Sequence, residues 1–131
     1  MFLDANVLYS AAYLEQSRIG ELWNLDDVEL LSSAYAIEEA RRNLVVSRPA
    51  ALGLLRRLVA SVAVVTTTTS GLPSGISLET KDRPILWAAI HGGADVLLTG
   101  DQRHFGRLYG RRIEGVLILR PAQYFERRRK Q

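Results

Sequence analysis

The sequence predicts a three-layer α/β/α sandwich around a central parallel sheet of about five strands. Short apolar runs recur at residues 2–3, 28–31, 62–65, 96–99 and 116–119. Segments with apolar residues at helical spacing separate them, and the two periods alternate along the chain. Short buried strands of this kind need cover on both faces, which is the pattern of a parallel sheet between layers of helices.

Taken in order, Phe2-Leu3 reads as a first strand running into Asp4. Residues 7–25 carry Leu8, Ala12, Ile19, Leu22 and Trp23 at helical spacing. The run at 28–31 ends in Ser32-Ser33, which suits a second strand followed by a helix cap. Residues 35–46 and 50–60 read as helices, with Pro49 near the start of the second. A third strand at 62–65 leads into residues 66–81, a stretch rich in Thr, Ser, Gly and Pro that reads as an irregular connector or a flap. A helix at 84–91, strands at 96–99 and 116–119, and a terminal helix or frayed tail at 123–130 complete the chain. There is no internal repeat, and 131 residues suit one domain.

Composition narrows the function. No apolar run approaches the ~18–20 residues of a membrane span. No basic segment precedes an apolar one at the start, which argues against a secretory leader. The absence of cysteine excludes disulfides, thiolate metal sites and cysteine nucleophiles, and fits a cytoplasmic protein. Net charge is +3, unevenly spread: residues 1–40 hold eight acids and one base, residues 101–131 nine bases and three acids. A basic half offers phosphate contacts and an acidic cluster can hold divalent cations; a solvated surface explains the same counts.

The acids fall in a pattern. Ligands of open parallel sheets bind at the carboxyl ends of the strands. Asp4 follows the first strand, Asp101 the fourth, Glu38 and Glu39 lie early in the helix after the second, and Asp82 opens the helix after the third. Taken singly, Asp82 is an N-cap before Pro84, Asp4 and Asp101 are turn acids, and the glutamates are solvated. Jointly, four segments deliver a carboxylate to one edge and are expected to converge within a few ångströms. With no Cys and two His, an all-oxygen site favours Mg²⁺ or Mn²⁺, one or two ions, over Zn²⁺.

Four motifs now resemble those of the PIN-domain ribonuclease family. They are Phe2-Leu3-Asp4-Ala5-Asn6-Val7-Leu8, residues 33–44 from Ser33 to Leu44, Lys81-Asp82-Arg83-Pro84-Ile85-Leu86-Trp87-Ala88-Ala89-Ile90, and Gly93-Ala94-Asp95-Val96-Leu97-Leu98-Thr99-Gly100-Asp101. They stand in family order across residues 2–105. The resemblance implies an endoribonuclease that cuts single-stranded RNA with Mg²⁺ or Mn²⁺. Compact prokaryotic members are commonly VapC-like toxins of toxin–antitoxin pairs, often homodimers with a cognate antitoxin protein.

On a helical wheel Ile37, Ala40 and Leu44 form the core stripe, with Glu38 on its shoulder, so periodicity favours Glu38 as the inward acid. The family spacing, six residues after Ser33, gives Glu39. A separate face of Ala36, Glu39, Ala40 and Asn43 accommodates it, and Glu39 is preferred with Glu38 as the alternative. The catalytic and metal-holding set implied is therefore Asp4, Glu39, Asp82 and Asp101. Asn6 reads as a metal-water or phosphate contact, or as a helix N-cap. Thr99 reads as a residue orienting a carboxylate. His104 stands where relatives often carry another acid, and reads as a phosphate contact, an outer metal ligand or a structural histidine. His91, Trp23, Trp87 and the tyrosines fit structural roles. Arg127-Arg128-Arg129-Lys130 either grips RNA or an acidic partner or is a solvated tail.

Other classes share an Asp after the first strand. A haloacid-dehalogenase-like phosphatase needs a second acid where Asn6 stands. A phospho-receiver domain expects a Lys after the last strand, where Arg120 stands. A non-catalytic RNA- or protein-binding module of the same fold has no need of the acid set.

Overall fold

The structure, a computed structural model, describes residues 1–66 and 83–130. Among the described residues six strands form one sheet in the order β3-β2-β1-β4-β6-β5, with helices on both sides. The strands are β1 (Phe2–Leu3), β2 (Leu31–Ser33), β3 (Ala63–Val65), β4 (Val96–Leu98), β5 (Arg112–Ile113) and β6 (Val116–Leu119). The helices are α1 (Ala5–Tyr13), α2 (Ala34–Ser47), α3 (Leu52–Val59), α4 (Arg83–His91), α5 (Gln102–Phe105) and α6 (Pro121–Arg129). All pairings are parallel except β5 with β6. The expected sandwich is present, with one more strand than expected and an antiparallel edge.

The central strands are buried as their apolar runs require. Phe2, Leu3, Leu97, Leu98 and Ile118 have no exposed surface, and removing such side chains from water is the main force holding the layers together. On α2 the buried stripe is Ala36, Ala40 and Leu44, spaced four apart, while Ile37 is only partly buried. The helix is thus rotated from the orientation expected on the wheel. Its small alanines let α1 and α3 approach closely. Arg48 leaves the helical region, which the residue before a proline disfavours, and ends α2.

Three expectations are corrected. The apolar spacing over residues 7–25 is not one helix: α1 ends at Tyr13, and a 3₁₀ segment, Arg18–Asn24, follows after Ser17 takes an extended conformation. The second strand is Leu31–Ser33, not 28–31, because pairing with β1 begins where Leu31 meets Phe2. Buried serines tolerate this position because Ser32 Oγ donates to Leu3 O at 2.8 Å, and Ser33 Oγ accepts from Ala36 N at 3.1 Å as the α2 cap. The tail is helical from Pro121, since proline at the first helical position presets the helical φ.

The added strand β5 comes from a two-residue hairpin. Glu114 (φ 49°) and Gly115 (φ 85°) both lie in the left-handed region, and Ile113 pairs with Val116. A turn with two positive φ angles matches the twist of a hairpin, but its usual signature is Asn-Gly or Asp-Gly. Glutamate in the first place hides it.

Candidate active site at the carboxyl edge of the sheet

Register places the strand ends side by side. Phe2 pairs with Leu31 and Leu3 with Leu98, so Asp4 stands level with Ser33 and Thr99. Leu98 pairs with Leu119, so Thr99 stands level with Arg120. Parallel pairing thereby brings residues far apart in sequence to one line without any dedicated contact.

Asp4 is 3% exposed and held from several sides. Its Oδ1 accepts from Ala5 N at 2.7 Å, capping α1. Its Oδ2 accepts from Thr99 Oγ1 at 2.8 Å and from Asn6 Nδ2 at 3.2 Å. Thr99 has no exposed surface, and its hydroxyl oxygen also accepts from Asp101 N at 3.1 Å and from Asn6 Nδ2 at 3.3 Å. One buried hydroxyl therefore joins Asp4 to the backbone that carries Asp101. Asn6 is not the N-cap of its helix, because Asp4 takes that place. It sits in the first turn and its Oδ1 accepts from Gly100 N at 2.6 Å. A Cβ at Gly100 would lie 3.3 Å from that oxygen, so the glycine permits the close approach.

Asp101 caps the short α5, its Oδ1 accepting from His104 N at 3.1 Å. Its Oδ2 lies 2.6 Å from His104 Nδ1. His104 is therefore engaged with Asp101 directly. Tyr109, which no sequence motif marks, donates its hydroxyl to Thr99 O at 2.8 Å. Burial pushes its pKa up to about 12; the Arg120 charge opposes the rise, and the charges of Asp101 and Asp4 add to it. The Arg120 guanidinium lies 5.5 Å from the Tyr109 ring centre.

Glu38 and Glu39 differ in setting. Glu38 is exposed and paired with Arg41, with Arg41 Nε 2.8 Å from Glu38 Oε2. That guanidinium holds the Glu38 carboxyl below the usual range. Glu39 is partly buried, between the buried Ala36 and Ala40 on the same helix, while Asn43 of the expected face is exposed. Asp82 lies outside the described residues, as do residues 67–81. Among the described residues no group of three or more His, Asp or Glu side chains is gathered to hold a metal. The expected convergence is thus not formed by Asp4, Glu39 and Asp101 alone. Glu39 is the sixth residue of α2, about 7.5 Å along the axis from its first residue at 1.5 Å per residue, whereas Asp4 stands at the strand end.

The basic tail is elsewhere. β6 runs toward the carboxyl edge and α6 returns from it, so 127–130 lie toward the amino edge. There Arg128 donates to both oxygens of Asp27 at 3.0 and 3.1 Å, and to Tyr124 Oη at 3.1 Å. Arg129 and Lys130 pair with Glu126. The tail is neither frayed nor beside the acids; Arg127 is exposed. His91 is exposed and stacks on Trp87, ring centres 5.9 Å apart. Trp23 Nε1 donates to Leu58 O at 2.9 Å.

A mostly parallel α/β sandwich with carboxylates held at the carboxyl ends of its strands is an arrangement that a nuclease-type fold shares with other α/β classes, and the family match decides between them. The family model of the PIN domain matches residues 1–103, and the chain belongs to that family. PIN domains are generally nucleases that depend on divalent metal. No curated protein matches the chain in sequence. Among the described residues no helix is long and apolar enough to cross a membrane.

Proposed function

We propose that this protein is a metal-dependent endoribonuclease that hydrolyses phosphodiester bonds of single-stranded RNA, using Asp4, Glu39, Asp82 and Asp101. One observation carries the reading: Asp4 is buried at the carboxyl edge and joined by the Thr99 hydroxyl to the segment bearing Asp101. Fixing a carboxylate from several sides sets its orientation before substrate arrives. Such a network is more than a turn acid requires.

The donor chemistry fits a hard cation. The chain has no thiolate, and carboxylate oxygens are the preferred ligands of Mg²⁺ and Mn²⁺. A carboxylate has about four acceptor positions. Asp4, Asp101, Glu39 and Asp82 would hold one or two ions. Such an ion, when bound, supplies an activated water and offsets charge on the phosphodiester. The protein's own part is positional: Thr99 and Asn6 orient Asp4, and His104 orients Asp101. Glu39 is preferred to Glu38 because Glu38 is turned to solvent and engaged by Arg41.

We further place the protein in the cytoplasm as the toxin of a prokaryotic toxin–antitoxin pair, acting as a homodimer and restrained by a cognate antitoxin protein. The test of the core reading is cleavage of end-labelled single-stranded RNA by metal-free protein, with Mn²⁺ or with excess chelator. Cleavage is expected only with the metal, and full activity in chelator overturns the mechanism. Growth arrest on expression, relieved by the product of an adjacent small gene, tests the toxin role. Sedimentation tests the dimer.

A further inference from the structure

Arg103, Arg107, Arg111 and Arg120 are exposed, and among the described residues none of them makes an ion pair. The tail behaves differently, since Arg128, Arg129 and Lys130 are all paired with carboxylates. Arg120 stands out because of its place. It directly follows β6, level with Thr99, and its backbone N donates to Gln123 Oε1 at 2.9 Å. Its side chain is not needed for the start of α6. Instead its guanidinium lies over the Tyr109 ring, and that ring is tethered to Thr99 O. The same hydroxyl feels the charges of Arg120, Asp101 and Asp4. A cation is thereby held beside the acids.

We propose that Arg120, braced on Tyr109, is a substrate-binding residue that grips a backbone phosphate of the RNA beside Asp4 and Asp101. The inference rests on the nuclease reading. A guanidinium presents a planar fork that matches phosphate oxygens, and stacking on an aromatic ring leaves that fork available. Tyr109 limits the rotamers of Arg120, which lowers the entropy lost when phosphate binds. The basic surface that meets substrate is then the Arg120 side of the sheet and not the C-terminal tail.

The experiment uses the full chain and a fluorescent single-stranded RNA. Binding is measured in chelator over a range of salt, and cleavage kinetics are measured with Mn²⁺. Arg120→Ala is expected to weaken binding about tenfold, the scale of one charge-assisted contact. The log–log salt slope is expected to fall by ~0.7, as for one lost phosphate contact on a single strand. KM should rise in step while kcat changes little. Arg120→Lys, which keeps charge but loses the fork, should fall between. Tyr109→Phe keeps the ring and should retain most of the affinity; a circular dichroism melt checks that each variant folds. Affinity and salt slope of folded Arg120→Ala equal to wild type overturn the proposal while leaving the nuclease reading intact. Binding without cleavage in wild type, weakened by Arg120→Ala, supports the phosphate contact and overturns the hydrolytic reading. Wild type that neither binds nor cleaves RNA overturns both.

Discussion

The two edges of the sheet treat their acids in opposite ways. At the amino edge Asp27 is largely exposed, with 66% of its side chain accessible, and it meets Arg128 in a forked ion pair. The nearby cleft is lined by groups such as Asp27, Tyr124 and Arg128, which already bond to one another. At the carboxyl edge Asp4 is buried and gripped by a hydroxyl, a side-chain amide and a backbone N–H, while Arg120 stands near and, among the described residues, pairs with no carboxylate. Exposed ion pairs contribute little because solvent screens them and ordering long side chains costs entropy. A buried carboxylate is expensive to desolvate and persists only where the surroundings fix it. The contrast teaches that an acid's worth to function is read from how it is held, not from how many charges surround it.

The largest effect expected is on the two fixed aspartates. Asp4→Asn and Asp101→Asn should lower RNA cleavage on the order of 10²–10³-fold, the scale for losing one pre-positioned electrostatic group. Asp27→Asn should leave cleavage unchanged. Melting with and without Mn²⁺ sharpens the comparison. A ligand that binds only the native state stabilises it by ~2.7 kcal/mol at a hundred times its Kd. Wild type and Asp27→Asn should gain this shift, and the two carboxyl-edge amides should gain much less. Equal Mn²⁺ shifts in all four proteins, with cleavage intact, would remove the metal site from this edge.

Next in size is the difference between neighbouring glutamates. Glu39→Gln should harm turnover on the same scale, and Glu38→Gln should leave it near wild type, because its carboxyl serves Arg41. A folded, inactive Glu38→Gln beside an active Glu39→Gln would shift the acid by one residue.

Thr99 comes third, because it acts through Asp4 and Asp101. Thr99→Val keeps shape but removes the donor to Asp4 and the acceptor for Asp101 N. Leaving buried polar groups unsatisfied costs ~1–3 kcal/mol, and loss of a group that orients a metal ligand lowers activity about 10–100-fold. Thr99→Ser should restore most of both. If Thr99→Val melts and cleaves like wild type, the hydroxyl is not the link between the two aspartates.

How far the sequence revealed this arrangement depends on how each part is encoded. Asp4, Asn6, Thr99 and Asp101 were legible because each lies at or beside the end of an apolar run, and parallel register aligns such ends without further information. β4 and β6 were legible for the same reason. Pairing shifts β2 into Ser32-Ser33, since those hydroxyls find partners only in the folded chain. Helical spacing runs on past Tyr13, but Leu14 is extended and ends the helix that it suggests. Glu39 against Glu38 depends on the rotation of α2, which is set by how Ala36 and Ala40 pack. The Tyr109–Arg120 contact joins side chains across the sheet edge, and no local pattern encodes it.

The smallest effect is a titration that reports the field at the carboxyl edge. Tyr109 is raised to about 12, first by burial and then by Asp101 and Asp4. A tyrosine raised in the folded state holds its proton while the unfolded chain, with its ordinary value of 10.0, has begun to lose it. The unfolded state then binds fewer protons, so stability falls as pH rises. The contribution is complete below about pH 10 and is lost progressively up to about pH 12. Tyr109→Phe should flatten this alkaline decline without changing stability at neutral pH by the same route. An ultraviolet tyrosinate titration should show that the band lost in Tyr109→Phe ionises well above the ordinary value of 10.0. Asp101→Asn should move that band down, because it removes a negative charge, and Arg120→Gln should move it up, because it removes the opposing positive one. Asp27→Asn, at the other edge, should leave it in place. If Tyr109 ionises near 10.0, or if Asp27→Asn moves it as far as Asp101→Asn does, the charge at the acid edge is not concentrated as the geometry requires, and the contrast between the two edges fails.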